Sequence, residues 1–512
     1  MIHYAIATKE DDEAIHQLNY EAFAEEIPQH PPNEERRLVD KFHDENTYLV
    51  GKENGKIVAM LALRDARPFS LEQKGITLPK DAGRPVEVRL LTVRPEHRNS
   101  RTFLGLMRYM MNHLEETGHD VAYISGTTRE ERLYGRFGFR VFAPAVGTAE
   151  AMFLPMRLTR EDHLASPLAA TLRPVTFLAG PVSVHPNVLK AAALEPVPHR
   201  SQEMVNLMRQ LADKLRALVN LPHLATLLGS GTLANDAVAA QLRNRGGRGL
   251  IVDSGQFGRR LADHALRAGL SFDRFEQAEG RSLDIERLTD GFERIRPDWI
   301  WLVHCETSTG VLHDIDTVSR LCNKYSCMLA LDAISSVGTA PYDFSRCDYV
   351  SFVSGKALGG LTGLAFVAMS EAPLATPDMP RYLDLSLYQD YVAFSHSSNL
   401  VRACLAAIDV LDLESAGRKM DILIDVLAGH GITPLAEPDS QARGILTLVF
   451  EDATEIARQL KANGFSVQFE SEYLAERNWL QVSTMGHTTE RQCRELAHRI
   501  GMLANRSASI ES

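Results

Sequence analysis

The chain has little of what a secreted, membrane-bound or nucleic-acid-coating protein needs. It has only six cysteines in 512 residues, at 305, 322, 327, 347, 404 and 493, and no pair shows C-x-x-C spacing. That excludes a disulfide framework and a paired-thiol metal site, and reads as buried or free thiols in a reducing cytoplasm. No apolar run is long enough to span a bilayer, so no membrane association is expected. The start, M-I-H-Y-A-I-A-T-K-E-D-D, brings acids where a secretory leader needs an apolar region. Positive charge is also in deficit. A formal net charge of -11 argues against broad binding to a phosphate backbone, so no nucleic-acid partner is expected. Internal repeats and low-complexity tracts are absent. What is present is an ordinary globular composition, 45% hydrophobic and 24% charged. The length is too great for one core, so more than one domain is expected.

The most informative stretch runs through C-M-L-A-L-D-A-I-S-S-V-G to Y-V-S-F-V-S-G-K-A-L-G-G. Two short apolar, β-branched runs end in Asp332 and close to Lys356, and each run reads as a buried strand. Ligands of open α/β sheets sit at the carboxyl ends of strands. An acid and a lysine at two such ends suit a pyridine aldehyde cofactor. The acid keeps the ring nitrogen protonated, and the lysine binds the aldehyde covalently.

Other strand ends carry matching chemistry. T-L-L-G-S-G-T-L-A-N-D passes through Gly229-Ser230-Gly231-Thr232 into a helix, a backbone arrangement suited to phosphate. Strand G-L-I-V-D leads to S-G-Q-F-G-R-R-L, where Phe257 can stack on a flat ring. Strand W-I-W-L-V-H-C delivers E-T-S-T-G-V-L. The ordered set is far more specific than any one member.

In that order these motifs resemble the class V aminotransferases of the fold-type I pyridoxal-phosphate superfamily. The similarity is greatest to its 2-aminoethylphosphonate–pyruvate and alanine–glyoxylate branches and covers roughly residues 172 to 500. The resemblance implies that Lys356 carries pyridoxal 5'-phosphate and that Asp332 pairs with its pyridine nitrogen. Phe257 would stack on the ring, Ser230, Gly231 and Thr232 would bind the phosphate, and Thr307 would lie near the phenolic oxygen. Ser354 joins the cofactor-binding set. Ser397, in S-H-S-S-N-L-V-R-A, takes a position that in the family reaches the phosphate from the other subunit, which implies a homodimer. The last strand departs from the family: W-L-Q-V-S-T-M-G puts Gln481 where an arginine grips the substrate anion. A neutral amide does not replace that fork. Arg402 or Arg443 would substitute for it, or the substrate lacks the anion.

The first 160 residues read as strand Ile2–Ala7, a helix from Asp11 to Glu25, and a hairpin turning at Glu53-Asn54-Gly55. Strand V-E-V-R-L-L-T-V-R-P, helix Thr102–Thr117 and strand V-A-Y-I-S-G follow. With L-L-T-V-R-P-E-H-R and Y-G-R-F-G-F this order resembles the Gcn5-related N-acyltransferases. The stretch D-K-F-H-D-E-N-T-Y-L-V resembles their acyl-carrier-using branch. Glu87 and Tyr134 are candidates for general base and general acid. The pyrophosphate loop departs from the family. After Arg98, Asn99 and Ser100 it places Arg101 and Phe103 where small residues should let backbone N–H groups approach phosphate.

The expected fold is α/β. A mixed acyltransferase-like domain (1–160) is joined by a polar, Pro-bounded linker (161–172) to a large, mostly parallel-sheet domain (173–400). A small C-terminal α/β domain follows (401–512). The expected activity is transfer of an amino group between a small amine or amino acid and a 2-oxo acid, coupled to N-acylation from an acyl-CoA or acyl carrier protein thioester. The alternative is a pyridoxal-phosphate lyase or desulfurase-type reaction with a non-catalytic first domain. No metal site is expected.

Overall fold

The computed structural model describes residues 2–27, 29–80, 83–98, 101–148, 151–389 and 392–510. Two compact units are present: Met1–Pro174 with Arg458–Phe465, and Val175–Ala457 with Ser466–Ser512. Among the described residues no helix is long and apolar enough to cross a membrane, and all six cysteines are buried and free.

The first unit is built on an eight-stranded sheet. Its strands are β1 (His3–Ile6), β2 (Thr47–Glu53), β3 (Lys56–Arg64), β4 (Pro85–Val93), β5 (Val121–Thr127), β6 (Arg140–Val141), β7 (Val146–Thr148) and β8 (Ala151–Thr159). The order is β1-β2-β3-β4-β5-β8-β6, with β7 on β8. Asn54 and Gly55 both have positive φ, as a tight hairpin turn between β2 and β3 requires. Among the described residues only β4 and β5 are parallel, and their register covers just Pro85–Glu87 against Val121–Tyr123. Leu90, further along β4, has φ 53. That backbone is unusual for a bulky residue, and it follows a register shift in the β3–β4 pairing between Met60 and Ala62.

Helix α1 (Asp12–Tyr20) continues as a wider π-helical turn over Glu21–Glu26. Helix α2 (Thr102–Glu116) packs Leu106, Met107 and Met110 into the core of this sheet. Gly105 permits that approach, because a Cβ there would meet the Tyr4 hydroxyl at 2.0 Å. Helix α3 (Glu131–Phe137) ends at Gly138 in the left-handed conformation.

The expected linker is folded instead. α4 (Arg160–Leu164) is capped by the Thr159 side chain, and α5 (Ala169–Leu172) follows. Leu168 and Leu172 lie in the core of the first unit, whose compact body runs to Pro174. After the polar run Arg160–His163 come these two leucines, four residues apart, and burying them outweighs the polar composition.

The second unit is a seven-stranded sheet of β9 (His223–Leu228), β10 (Arg248–Asp253), β11 (Ser271–Glu276), β12 (Trp299–Val303), β13 (Met328–Asp332), β14 (Tyr349–Val353) and β15 (Leu364–Met369). The order is β9-β15-β14-β13-β12-β10-β11, and β15 alone runs against its neighbours. Residues alternate between two cores. Leu250, Val252, Ile300, Leu302, Leu329 and Leu331 face one, beside α6 (Gln202–Val219), α9 (Ile285–Ile295) and α10 (Ile315–Tyr325). Ile251, Trp299, Trp301, Val303 and Ala330 face the other, beside α7 (Gly231–Arg245) and α8 (Gln256–Arg267). Burial on both faces explains why these strands read as continuous apolar runs.

Beyond the sheet come α11 (Ser398–Asp409), α12 (Ser415–Ala428), β16 (Ile445–Val449), α13 (Glu472–Ala475), β17 (Trp479–Ser483) and α14 (Glu490–Ile510). β16 and β17 pair antiparallel. α11 passes straight through the domain boundary expected at residue 400.

Candidate active site

The carboxyl ends of β9, β10, β12, β13 and β14 share one edge of the sheet, since these strands run in one direction. β9 releases the chain into Ser230 and α7, and Gly231 packs closely there: a Cβ would displace the end of the Ile334 side chain. Ser230 gives α7 no side-chain cap, and Thr232 is exposed. The Leu233 N–H is taken by the Ser230 carbonyl at 3.0 Å, which leaves the N–H groups of Gly231 and Thr232 as those at the helix start suited to an anion.

Asp332, at the end of β13, is 4% exposed. Its Oδ1 accepts from the Ile334 N–H at 3.0 Å, and its Oδ2 accepts from Asn235 Nδ2 at 2.8 Å. Asn235 is fixed in turn, accepting from the Ser351 hydroxyl at 2.6 Å. Burial pushes the Asp332 carboxyl above its ordinary range, and the two hydrogen bonds oppose the shift.

Lys356 follows β14. Gly180 lies so close that a Cβ there would stand 2.9 Å from its Nζ. Burial holds this amine below the ordinary lysine range, while Cys305 and Asp332 pull it up and Arg260 pushes it further down. A cavity of about 520 Å³ opens at the amine, lined by Gly180, Phe257, Arg260, Thr307, Tyr473 and Arg477 among others. Phe257 is held by Glu306, whose buried carboxylate accepts from the N–H groups of Phe257 (3.3 Å), Gly258 (3.0 Å) and Ser308 (3.1 Å). Thr307 donates its hydroxyl to Ser335 at 2.6 Å.

Lys356, Phe257 and Thr307 thus share the cavity, and Asp332 and Ser230–Thr232 stand at the same sheet edge. The other expected site residues are engaged elsewhere. The Ser354 hydroxyl donates to the Leu361 carbonyl at 2.6 Å, holding the loop that returns to β15. Ser397 caps its own helix, accepting from the Leu400 N–H at 3.3 Å. Arg402 donates to the Glu195 carbonyl and pairs with Glu203 at 2.6 Å. Arg443 pairs with Asp421 at 3.1 Å. Neither arginine lines the cavity.

Gln481 is 1% exposed and lies one layer behind Thr307. Its Nε2 donates to the carbonyls of Thr307 (2.5 Å) and Ser308 (3.0 Å) and to the Thr447 hydroxyl (3.0 Å). Its Oε1 accepts from Tyr473 at 3.0 Å. The amide ties β17 to the loop after β12, leaving nothing for a substrate.

Asn235, Arg260 and Tyr473 were missed by sequence reasoning. Asn235 had a signal, a polar residue within the Ala-rich α7 stretch A-N-D-A-V-A-A. Arg260 stands three residues after Phe257, hence on the same helix face. Tyr473 carried none.

In the first unit, Glu87 is buried and accepts from the Ser70 N–H (2.9 Å) and hydroxyl, with Arg64 and Arg89 each 3.9 Å away. Tyr134 is half-buried on α3 and raised above its ordinary range, chiefly by burial. Asn99 and Ser100 lie outside the described residues. Arg98 pairs with Glu26 through its two terminal guanidinium nitrogens, one at 2.6 Å, and Arg94 pairs with Glu21 at 2.5 Å. Phe103 is half-buried, its ring edge-on to Phe137.

Residues 3–142 match the family model for the acetyltransferase (GNAT) domain, and residues 186–383 match that for aminotransferase class-V. Over 214 residues the chain is 27% identical to mouse (Mus musculus) alanine–glyoxylate aminotransferase, covering 41% of this chain and 51% of that protein. It is 30% identical over 214 residues to 2-aminoethylphosphonate–pyruvate transaminase of Pseudomonas fluorescens, covering 40% and 57%. The chain therefore spans a little over half the length of these curated relatives. Among solved structures, alanine–glyoxylate aminotransferase from Nostoc sp. superposes with a TM-score of 0.59 at 25% identity, covering 64% of this chain and 95% of that one. Pyridoxamine–pyruvate aminotransferase from Mesorhizobium loti, at 20% identity, shares the fold with a TM-score of 0.61, covering 66% and 93%. The chain thus joins a domain of the GNAT acetyltransferase family to a domain of the class-V aminotransferase family.

Proposed function

We propose that the second unit is a pyridoxal-phosphate transaminase that moves an amino group between a small amine or amino acid and a 2-oxo acid. The observation that carries this reading is the Lys356 amine, depressed by burial and opening onto a cavity shared with Phe257 and Thr307, with Asp332 anchored at the next strand end. Bound cofactor would supply an electron sink for negative charge at the donor's α-carbon. Lys356 would hold it covalently and, once displaced by the donor amine, take the α-carbon proton on Nζ. Asp332 would keep the ring nitrogen protonated, with Asn235 and the Ile334 N–H fixing the carboxylate. Ser230, Gly231 and Thr232 would hold the phosphate, and Phe257 would cover one ring face.

A sulfur-abstracting reaction needs an accessible thiolate. Every cysteine is buried, and burial pushes the Cys305 thiol, near Lys356, up to about 12. That favours transamination over the desulfurase alternative.

The test is cofactor uptake followed by a donor screen. The loaded protein should absorb visible light, borohydride should fix the label on the Lys356 peptide, and a productive donor should release its 2-oxo acid. A label on another lysine overturns the assignment. The reading includes a homodimer with Ser397 serving the neighbouring site, tested by recovery of activity on mixing Lys356→Ala and Ser397→Trp subunits. For the first unit it includes acyl transfer to the amine from a thioester gripped by its acyl arm or carrier protein. The support is that Arg94 and Arg98, two of the cations at the pyrophosphate loop, already have carboxylate partners.

A further inference from the structure

An amino substrate with an anionic group needs a cation in the pocket, and position 481 does not supply one. The Gln481 amide is fully engaged inside the protein, and Arg402 and Arg443 lie outside the cavity. Three arginines line it. Arg259 and Arg477 converge on Glu279 at 2.8 and 3.3 Å, and Arg259 also stands 3.7 Å from Asp253, so both are neutralised. Arg260 differs. It is exposed on the wall, its guanidinium lies 4.8 Å from the centroid of the Phe257 ring, and it has no acidic partner among the described residues. Its helix is anchored at the N-terminus by Glu306, so the cation stands on a rigid support beside the Lys356 amine.

We propose that Arg260 grips the anionic group of the amino substrate, a carboxylate or a phosphonate, so that the anion enters against the α8 wall and not against β17. This inference rests on the transaminase reading. A guanidinium fork fits either oxyanion through paired N–H···O bonds. The local field agrees: Arg260 is among the charges that depress the Lys356 amine, and a docked anion would relieve that push. The pocket therefore takes an amine with one anion, and its preference is set by the first turn of α8.

The experiment uses the full-length, cofactor-loaded protein and the variants Arg260→Gln and Arg260→Lys. Half-reaction rates are measured with L-alanine, 2-aminoethylphosphonate and propylamine. Calorimetry measures binding of propionate and ethylphosphonate, which cannot react. Loss of a charge-assisted pair should lower kcat/KM of Arg260→Gln for an anionic donor by about 10- to 100-fold, with a parallel loss of analogue binding. The loss with propylamine should be smaller by about tenfold, and Arg260→Lys should recover part of the deficit. A deficit confined to the carboxylate or to the phosphonate arm supports the proposal and identifies the anion. Equal losses with all three donors, or unchanged analogue binding, overturn it. If the wild type takes up no cofactor, the transaminase reading falls and this inference with it. Uptake with Arg260-independent anion binding overturns this inference alone.

Discussion

Gln481 offers the sharpest test of how the second unit is held together. Gln481→Met keeps the volume but removes an amide that donates to the Thr307 and Ser308 carbonyls and the Thr447 hydroxyl and accepts from Tyr473. Thr447 still donates to the Ser308 carbonyl at 3.4 Å, so the principal orphan is the Thr307 carbonyl. Leaving one buried acceptor unpaired should cost about 1–3 kcal/mol. Gln481→Arg, which restores the family's residue by name, should do worse. It places a larger cation at a site 1% exposed, and arginine cannot accept the Tyr473 hydroxyl. The nearby Glu306 carboxylate already accepts from three backbone N–H groups. Overpacking adds about 1–3 kcal/mol, and an uncompensated buried charge about 3–5 kcal/mol. Denaturant midpoints of the cofactor-loaded proteins should therefore fall in the order wild type, Gln481→Met, Gln481→Arg, with no gain in L-alanine turnover for the arginine variant. An arginine variant as stable as wild type and faster with alanine would show that Gln481 faces the substrate and that the hydrogen-bond reasoning fails.

Asn235→Leu should weaken the hold on Asp332 and leave the Ser351 hydroxyl only its longer bond to the Leu331 carbonyl, at 3.4 Å. A loss of about 1.5–3 kcal/mol should appear as faster cofactor dissociation, and dissociation at the wild-type rate would contradict it. Cofactor capture needs the neutral Lys356 amine, so its rate should rise with pH and level off below 10.5, the ordinary lysine value, because burial depresses this group. Asp332→Asn removes a charge that raises the amine and should move the plateau to lower pH. Arg260→Gln removes one that lowers it and should move the plateau up. Opposite shifts would refute the assignment. Calorimetry of the full-length protein with acetyl-CoA should show binding on the order of millimolar or weaker, because Glu26 occupies Arg98. Glu26→Gln should tighten it by about fivefold at most, as befits an exposed pair. Submicromolar binding by the wild type would refute the reading of that loop.

Much of the scaffold was legible because its determinants are neighbours in sequence. Lys356 sits three residues after the last residue of β14, Asp332 ends β13, and Gly231 sits three residues after the last residue of β9. A strand-length apolar run with a polar end is enough to read them. The β2–β3 hairpin was legible for the same reason, since Asn54 and Gly55 supply the positive φ values locally. The folded segment 161–172 was not legible, because only the core it joins shows that Leu168 and Leu172 have somewhere to go.

Ligand choice was the least legible, for one physical reason in both units. Arg98 looks like a phosphate-binding cation until Glu26, 72 residues earlier, is found across its fork. Gln481 looks like a degraded anion clamp until the Thr307 carbonyl, 174 residues earlier, is found on its amide. In each case a position that faces ligand in the resembling family has instead closed on a partner within its own unit. The two cases differ in reversibility. The Arg98–Glu26 pair is exposed at both ends, so solvent screens it and a competing anion could displace it. The Gln481 network is buried, so changing it disturbs the fold before it reaches the substrate. If the second unit acts on an anionic amine, as proposed above, its anion site has been relocated, and an exposed arginine on the wall of the same cavity is where such relocation is least disruptive.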